Sequence, residues 1–140
     1  MKEELDNILC KKYPLIFAQR NMPMTQTAMC WGFDHDNGWF NILNQLCMQI
    51  QGHIDWQNRE TEVIPQVVAT QVKQKYGTLR FYYSGGDEVI DGMVRMAEAM
   101  SAVTCEVCGD VGKVRNDNAW VYTSCDKHSQ NVEESNGELF

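Results

Sequence analysis

The sequence contains no run of about 18 consecutive apolar residues, which is the length that a membrane-spanning helix needs. Its first stretch, "MKEELDNILCKKYP", carries acids and no long apolar segment, so we expect no signal peptide. Basic residues are also few, since 12 against 19 acidic residues give a formal charge of -7. Because general nucleic-acid binding relies on cations that neutralise phosphates, this composition argues against direct nucleic-acid binding. We therefore expect a cytoplasmic protein without membrane contact.

Acidic residues are missing altogether between Glu62 and Asp87. This stretch contains "VVATQVKQKYGTLRFYYSGG", whose β-branched and aromatic residues predict a β-hairpin that turns near Tyr76-Gly77. Alternation along the two strands assigns one apolar face to Val68, Val72, Leu79, Phe81 and Tyr83. The other face receives Lys73, Lys75, Arg80 and Tyr82. An acidic chain is thus expected to carry one basic, aromatic surface.

Helical periodicity is found on both sides of this hairpin. We expect a short helix over 2–11, a loop over 18–30, and a longer helix from near Gly38 to near Trp56. The apolar stripe of the longer helix consists of Trp39, Leu43, Leu46, Ile50 and Ile54. A further helix, capped by Ser84 or Asp87, has its apolar side at Ile90, Met93, Val94, Ala97 and Met100. Its methionines are expected to fill gaps in the core, and a Met-rich contact surface is the alternative.

The segment "CEVCGDVGKVRNDNAWVYTSCDKH" contains two short ligand pairs, C-x-x-C and C-x-x-H, separated by the sixteen residues 109–124. Each pair supplies two ligands from one tight turn, and a hairpin turning at 116–118 would bring the pairs together. Thiolate and imidazole suit Zn²⁺, and the spacing falls within the range of known zinc sites. We therefore predict a zinc site, with an iron–sulfur cluster as a minor alternative, made of Cys105, Cys108, Cys125 and His128.

The role of this zinc is predicted to be structural. A catalytic zinc usually has three protein ligands and an open position, whereas four good ligands are present here in local sequence. Deaminases also use a C-x-x-C pair, but they add an upstream H-x-E or C-x-E motif that this sequence does not have. We therefore expect no enzymatic activity. The scattered Cys10, Cys30 and Cys47 are interpreted as small buried hydrophobic residues.

Two further clusters have a functional and a structural interpretation. Asp34, His35 and Asp36 could form an acid–base or second metal site, but a polar loop with a helix cap explains them more simply. The turn formed by Ser84, Gly85 and Gly86 precedes a helix and could hold an anion at the helix N-terminus. Charge and stacking for such a ligand, or for a protein partner, would come from Lys73, Lys75, Arg80 and Tyr82.

These elements predict an α+β fold in which helices pack on a β-hairpin and a C-terminal zinc-knuckle or treble-clef-like module follows. We expect one compact domain over 1–128, with the zinc module at 103–128 and a loose acidic tail at 129–140.

Three stretches carry a resemblance: "WGFDHDNGWFNILNQLC", "QVVATQVKQKYGTLRFYYSGGD" and "MAEAMSAVTCEVCG". They are similar to small uncharacterised proteins of tailed phages and prophages, and the likeness covers about residues 30–128. The resemblance implies an accessory protein made in the host cytosol during infection. It supplies no known catalytic residues.

Two classes of function fit this description. The first is a stoichiometric binder that inhibits a host protein, such as a component of an antiphage defence system. The second is a protein that sequesters a nucleotide or signal molecule on the hairpin and the turn at 84–87. A zinc-dependent enzyme is the third interpretation. The sequence does not specify the partner or the oligomeric state.

Overall fold

The computed structural model describes residues 1–116 and 120–129. We refer to residues 1–102 as the body and to the described residues from 103 onward as the C-terminal module. The helices are α1 (Glu3–Lys12), α2 (Phe40–Gln57) and α3 (Glu88–Ser101). The strands are β1 (Phe33–Asp34), β2 (Val68–Lys75), β3 (Thr78–Ser84), β4 (Lys113–Arg115) and β5 (Tyr122–Ser124). Single 3₁₀ turns occupy Ala28–Trp31, Asn37–Trp39 and Asp126–His128.

The sheet of the body has the order β1-β2-β3, with β1 parallel and β3 antiparallel to β2. The predicted hairpin and its turn are present. Tyr76 and Gly77 both have positive φ, 53° and 84°, as a two-residue hairpin turn requires. Val72 pairs with Phe81 and both are buried, while Lys73 pairs with Arg80 on the opposite face.

One side chain of the predicted apolar face does not lie on it. The strand register shifts between Ala69 and Gln71, so an extra residue, Thr70, is inserted into β2. Because side chains alternate along a strand, this bulge moves each side chain that precedes it in β2 to the opposite face of the sheet. Ala69 is therefore fully buried, whereas Val68, which was predicted to face the core, is only half-buried.

α2 and α3 pack against each other and against the apolar face of the sheet. Their orientation is antiparallel, since His53 near the end of α2 contacts Asp87 before α3, at 2.9 Å between Nε2 and Oδ2. At the opposite end, the Trp39 indole N–H donates to the Thr104 carbonyl at 3.0 Å. The predicted α2 stripe is confirmed as buried, and so are Ile90, Val94 and Ala97 of α3.

The cap of α3 is Asp87 rather than Ser84. Its carboxylate accepts a hydrogen bond from the Ile90 N–H at 3.0 Å, which satisfies one of the free donors of the first helical turn. The apolar side of α3 also differs from the prediction. Met93 is half-buried, but Met96 and Met100 are 64% and 47% exposed. The expectation that the methionines of this helix fill gaps in the core is therefore wrong for these two.

α3 also covers the outer edge of β3. The Leu79 N–H donates to Ser101 Oγ at 2.9 Å, and the Phe81 N–H donates to Glu98 Oε2 at 3.0 Å. These two backbone donors point away from β2, so helix side chains take the place of a fourth strand.

The predicted loop over 18–30 is held by a partly buried ion pair. The Arg20 guanidinium binds the Asp6 carboxylate of α1 at 3.0 Å and donates to the Cys30 carbonyl at 3.0 Å. This connection fixes a segment that has little regular structure beside β2.

The α+β class is confirmed in the described residues. The predicted tail at 129–140 lies outside them except for Ser129, which is buried and donates from its hydroxyl to the Asp126 carbonyl. Among the helices formed by residues 1–116 and 120–129, none has the length and apolar character needed to cross a membrane.

Candidate functional site

The first ligand pair lies on a tight turn in the C-terminal module. The Cys105 N–H donates to the Asp110 carbonyl at 2.7 Å, and the Gly109 N–H donates to the Cys105 carbonyl at 2.9 Å. Gly109 has a φ of +85°, a backbone angle that residues other than glycine adopt rarely. These bonds close the chain around Cys105 and Cys108, so the local sequence alone places both thiols on one side of the turn.

The second ligand pair follows the β4–β5 hairpin. Val114 pairs with Thr123 in this hairpin, and Asp117 and Asn118, part of the predicted turn, lie outside the described residues. The Arg115 guanidinium donates to Ser124 Oγ at 2.8 Å and binds the Asp126 carboxylate at 2.9 Å. This contact fixes the chain where β5 leads into the single 3₁₀ turn that carries the last ligand.

The four predicted ligands meet at one point. Their donor atoms, three Sγ and one His128 Nδ1, all lie within 4.8 Å of one another. Cys108 Sγ and Cys125 Sγ are 3.7 Å apart, and Cys125 Sγ lies 3.2 Å from His128 Nδ1. A tetrahedral ion with metal–sulfur bonds of about 2.3 Å has sulfur–sulfur edges of about 3.8 Å. The cluster, which we call the cage, could therefore hold a metal ion, and its donor set is one that zinc prefers.

Thiolate formation at one cage ligand, Cys105, is favoured by the backbone. Burial alone would raise the pKa of Cys105, but backbone hydrogen bonds from Cys125, Cys108 and Val107 outweigh it and lower this pKa to about 7. A thiol that ionises near neutral pH is ready to serve as a metal ligand. By contrast, burial and a hydrogen bond to Asp6 raise the pKa of Cys10 to about 12, which makes that thiol unreactive.

The three other cysteines differ in burial from the prediction. Cys47 is fully buried, as expected, and burial raises its pKa. Cys10 and Cys30 are only partly buried. Cys10 is held at the edge of the core because its thiol donates to the Asp6 carboxylate at 3.3 Å.

The cage is joined to the body at the start of α2. The Gly38 N–H donates to the Glu106 carbonyl at 2.6 Å, and a Cβ on Gly38 would lie 2.1 Å from the Cys105 carbonyl oxygen. Gly38 is thus required for this contact, a role that the sequence pattern did not predict. The sequence does show a glycine among turn-forming residues just before a helix. That pattern does not indicate which part of the chain packs against the glycine.

Two of the residues at 34–36, Asp36 and His35, have structural roles. Asp36 accepts a hydrogen bond from the Asn37 N–H at 2.8 Å and so caps the following turn, as the capping interpretation predicts. His35 is 6% exposed, and burial lowers its pKa to about 4 despite an Nδ1 contact of 2.7 Å to the Asp36 carbonyl. Its Nε2 has no hydrogen-bond partner among the described residues. Asp34, by contrast, is exposed at the edge of the sheet beside Lys73.

Four of the predicted contact residues share the face of the sheet opposite the helices. Lys73 and Arg80 are cross-strand neighbours, and Tyr82, which pairs with Gln71, is 40% exposed. The Arg80 Nε is buried without a hydrogen-bond partner among the described residues. We call this surface the basic face, and its residues are Lys73, Lys75, Arg80 and Tyr82.

The glycine turn lies away from these cations. Ser84 pairs with Val68 at the far end of the hairpin, and it lies four positions after Arg80, about 13 Å along the strand. Gly85 and Gly86 have φ values of +80° and +81°, and the Gly86 N–H donates to the Pro65 carbonyl at 2.9 Å. The turn is thus packed against 65–66, and the Asp87 carboxylate already lies at the N-terminus of α3. The structure thus separates this turn from the cations of the basic face, although Ser84 lies two residues after Tyr82 on the same strand.

Comparisons of the chain with protein-family models, with curated proteins and with solved structures give no match. The resemblance to phage proteins is therefore untested and stays a prediction.

Proposed function

We propose that this chain is a phage-type accessory protein that binds a host protein stoichiometrically and contains a structural zinc ion. The geometry of the cage is the observation that supports a structural role for the zinc ion. Its four donor atoms lie within 4.8 Å of one another and come from one short module, so side chains of the chain would occupy all four tetrahedral positions of a bound ion. An ion held in this way stabilises the fold and has no open position for a substrate.

The order of elements around the cage supports a treble-clef-like module. A knuckle carries the first ligand pair, a hairpin follows, and the second pair lies where a new helical segment begins. That segment is one 3₁₀ turn, Asp126–His128, in the described residues, so the module would be a shortened form of this arrangement.

The basic face is the contact surface that we propose for the partner. It collects the exposed Lys75 and the partly buried Lys73 and Arg80 on one side of a chain whose formal charge is -7. Opposite charges across an interface speed association and select partners. A host protein with an acidic contact patch, such as a component of an antiphage defence system, fits this surface.

Affinity capture from a host lysate tests the proposal. The wild-type chain should retain one partner at a fixed ratio in native mass spectrometry, together with one zinc ion per chain. Lys73→Glu/Lys75→Glu should lose the partner, because both substitutions reverse charge on the basic face. Lys2→Glu/Lys11→Glu is the matched control, since it reverses the same number of charges at two exposed positions, one at the N-cap and one in the last turn of α1. Equal capture by both double variants would show that the basic face is not the contact.

A nucleotide or signal molecule is the second candidate ligand. The observation that favours it is Arg80, whose buried Nε has no partner among the described residues and which lies beside Lys73. Guanidinium and ammonium groups bind phosphate, and Tyr82 could stack on a base. Nucleotides should then raise the melting temperature of the purified chain, and Arg80→Ala should abolish this shift. A shift that survives in Arg80→Ala would place the ligand elsewhere.

A further inference from the structure

The turn of the β2–β3 hairpin is held in a conformation that its sequence does not favour. Tyr76 and Gly77 both have positive φ, and two-residue turns of this kind prefer Asn-Gly or Asp-Gly. Glycine adopts such angles freely, whereas a bulky residue such as tyrosine adopts them at a cost in free energy. Tyr76 is also 73% exposed, so burial of its ring does not offset this cost. We therefore expect the turn to depend on contacts from outside the hairpin.

The segment 121–123, which leads into β5, supplies these contacts. Thr123 Oγ donates to the Gly77 carbonyl at 2.6 Å, and Thr123 is 1% exposed. A Cβ on Gly77 would lie 2.9 Å from the Val121 side chain, so this segment packs directly on the turn. Beside it, Gln74 Nε2 donates to the Val121 carbonyl at 3.2 Å. The hairpin turn is thus fixed by the residues that come just before the second ligand pair.

The first ligand pair is docked on a different part of the body. The Trp39 indole N–H donates to the Thr104 carbonyl at 3.0 Å, and the Asp36 N–H donates to Glu106 Oε2 at 2.9 Å. Together with the approach of Gly38, these bonds fix the knuckle of the first pair to the start of α2. An ion in the cage would join this knuckle to the second ligand pair. It would thereby connect the start of α2 with the hairpin turn.

The position of the segment 121–123 depends in turn on the ion. β4 and β5 have three residues each, and an isolated two-stranded hairpin is marginally stable in water. Metal binding in small zinc modules is coupled to their folding. Loss of the ion would therefore release this segment and, with it, the contacts that hold Gly77.

We propose that the metal ion in the cage controls the conformation of the hairpin turn, and through it the position of Lys75 and Tyr76. The presence of the ion rests on the proposed function, whereas the coupling of the cage to the turn requires no host partner. Lys75 is an exposed cation of the basic face and directly precedes the turn. The basic face is then complete only in the metal-loaded chain. Because such coupling is reciprocal, the ordered turn also strengthens metal binding.

Amide exchange of the full chain tests this coupling, with zinc bound and after chelation. Native mass spectrometry measures the zinc content of each sample. On chelation, the amides of Lys75 and Thr78, which pair next to the turn, should exchange at least about tenfold faster, because a buried hydrogen bond and its packing are lost. The amides of Gln71 and Tyr82, which pair further along the same hairpin, are the internal control and should keep their protection.

A substitution that cuts the link should have the same effect without removal of zinc. Thr123→Val keeps the shape of the side chain and all four ligands but loses the hydroxyl that donates to Gly77. Exchange at Lys75 should be faster with zinc bound, and zinc affinity in competition with a chelator should fall. Thr104→Val is the matched control, because its hydroxyl is also in the module but donates to the Met100 carbonyl.

A second substitution should remove the need for the ion. Tyr76→Asn creates the turn sequence that this backbone prefers, so the turn should stay protected after chelation. Tyr76→Phe is the matched control, because it retains the cost of positive φ at a bulky residue and should respond to chelation like the wild type.

The outcomes separate this coupling from the proposed function. If zinc binds but exchange at Lys75 and Thr78 is the same after chelation, the coupling is wrong and the structural zinc stands. Loss of protection at Gln71 and Tyr82 as well would also overturn it, because the ion would then support the whole hairpin. So would a wild-type response in Tyr76→Asn. A chain that binds no zinc would refute both proposals. If exchange behaves as expected but no host protein is captured, the coupling stands and the proposed host binding fails.

Discussion

The body and the C-terminal module bury opposite kinds of residue. In the body, aliphatic and aromatic side chains from all three helices and the sheet form one apolar cluster that includes Leu9, Trp39 and Val72. In the described part of the module, the most buried residues are Cys105, Thr123, Ser124 and Ser129. Its larger apolar side chains are exposed, with Val111 at 87% and Trp120 at 59%. The body can fold by the hydrophobic effect, whereas we expect the module to depend on metal ligation and hydrogen bonds.

Removal of a cage ligand or of the metal ion should give the largest loss of stability. This loss should be confined to the C-terminal module and the hairpin turn that it contacts. Cys105→Ser or a zinc chelator should release the module, since structural zinc sites contribute about 10–16 kcal/mol in small zinc domains. Amide exchange should become fast in the module while α2 and α3 remain protected. Cys30→Ser, which removes a thiol of the body, is the control and should leave both regions protected. A module that stays protected in Cys105→Ser would show that the cage does not hold it.

Acid should weaken the body through His35. Its pKa is lowered to about 4 by burial, whereas an unfolded histidine titrates near 6.5. Stability from the buried neutral ring is therefore fully present above about pH 6.5 and is lost as the pH falls toward 4, by at most about 3 kcal/mol. Urea unfolding of the zinc-loaded chain at pH 7.5, 6 and 5 measures this loss.

Two histidine variants isolate the contribution of His35. His35→Asn should show a smaller fall in the free energy of unfolding between pH 7.5 and 5 than the wild type. His53→Asn should keep the wild-type fall, because His35 is unchanged in it. The same pH dependence in all three proteins would mean that the buried ring at 35 does not stay neutral.

A matched pair of valines compares the two regions directly. Val72 in the body is 0% exposed and Val111 in the module is 87% exposed. Val72→Ala should lower the free energy of unfolding by about 2 kcal/mol, because two methyl groups leave a packed core. Val111→Ala should change it by less than about 0.5 kcal/mol. Equal losses in urea unfolding would contradict the view that the module lacks an apolar core of its own.

The sequence was most informative where structure is local. The two ligand pairs lie on tight turns joined by one hairpin, so spacing was enough to predict the cage. α2, the hairpin and its turn at Tyr76-Gly77 were found for the same reason, since periodicity and turn chemistry are properties of neighbouring residues. α1 was predicted over 2–11 and is observed at Glu3–Lys12, a difference of one residue at each end.

Features that depend on distant partners were missed. β1 has two residues and exists because β2 pairs with it, so no pattern in "WGFDH" could predict it. The bulge at Thr70 leaves no trace in an alternating sequence. Met96 and Met100 follow a core-like period, and only the position of α2 decides that they line an open groove. Gly38 is needed for an approach from residue 105, which the sequence does not reveal.

The hydrogen bonds from Leu79 and Phe81 to Ser101 and Glu98 limit how any ligand can attach. A ligand that adds a strand to a sheet needs a row of free amide and carbonyl groups at the sheet edge. At the β3 edge, two of the amides already donate hydrogen bonds to side chains of α3. The same occupation protects this margin of the sheet from pairing with a strand of another molecule. Recognition is thereby directed to side chains, on the broad faces of the molecule, and not to its main chain.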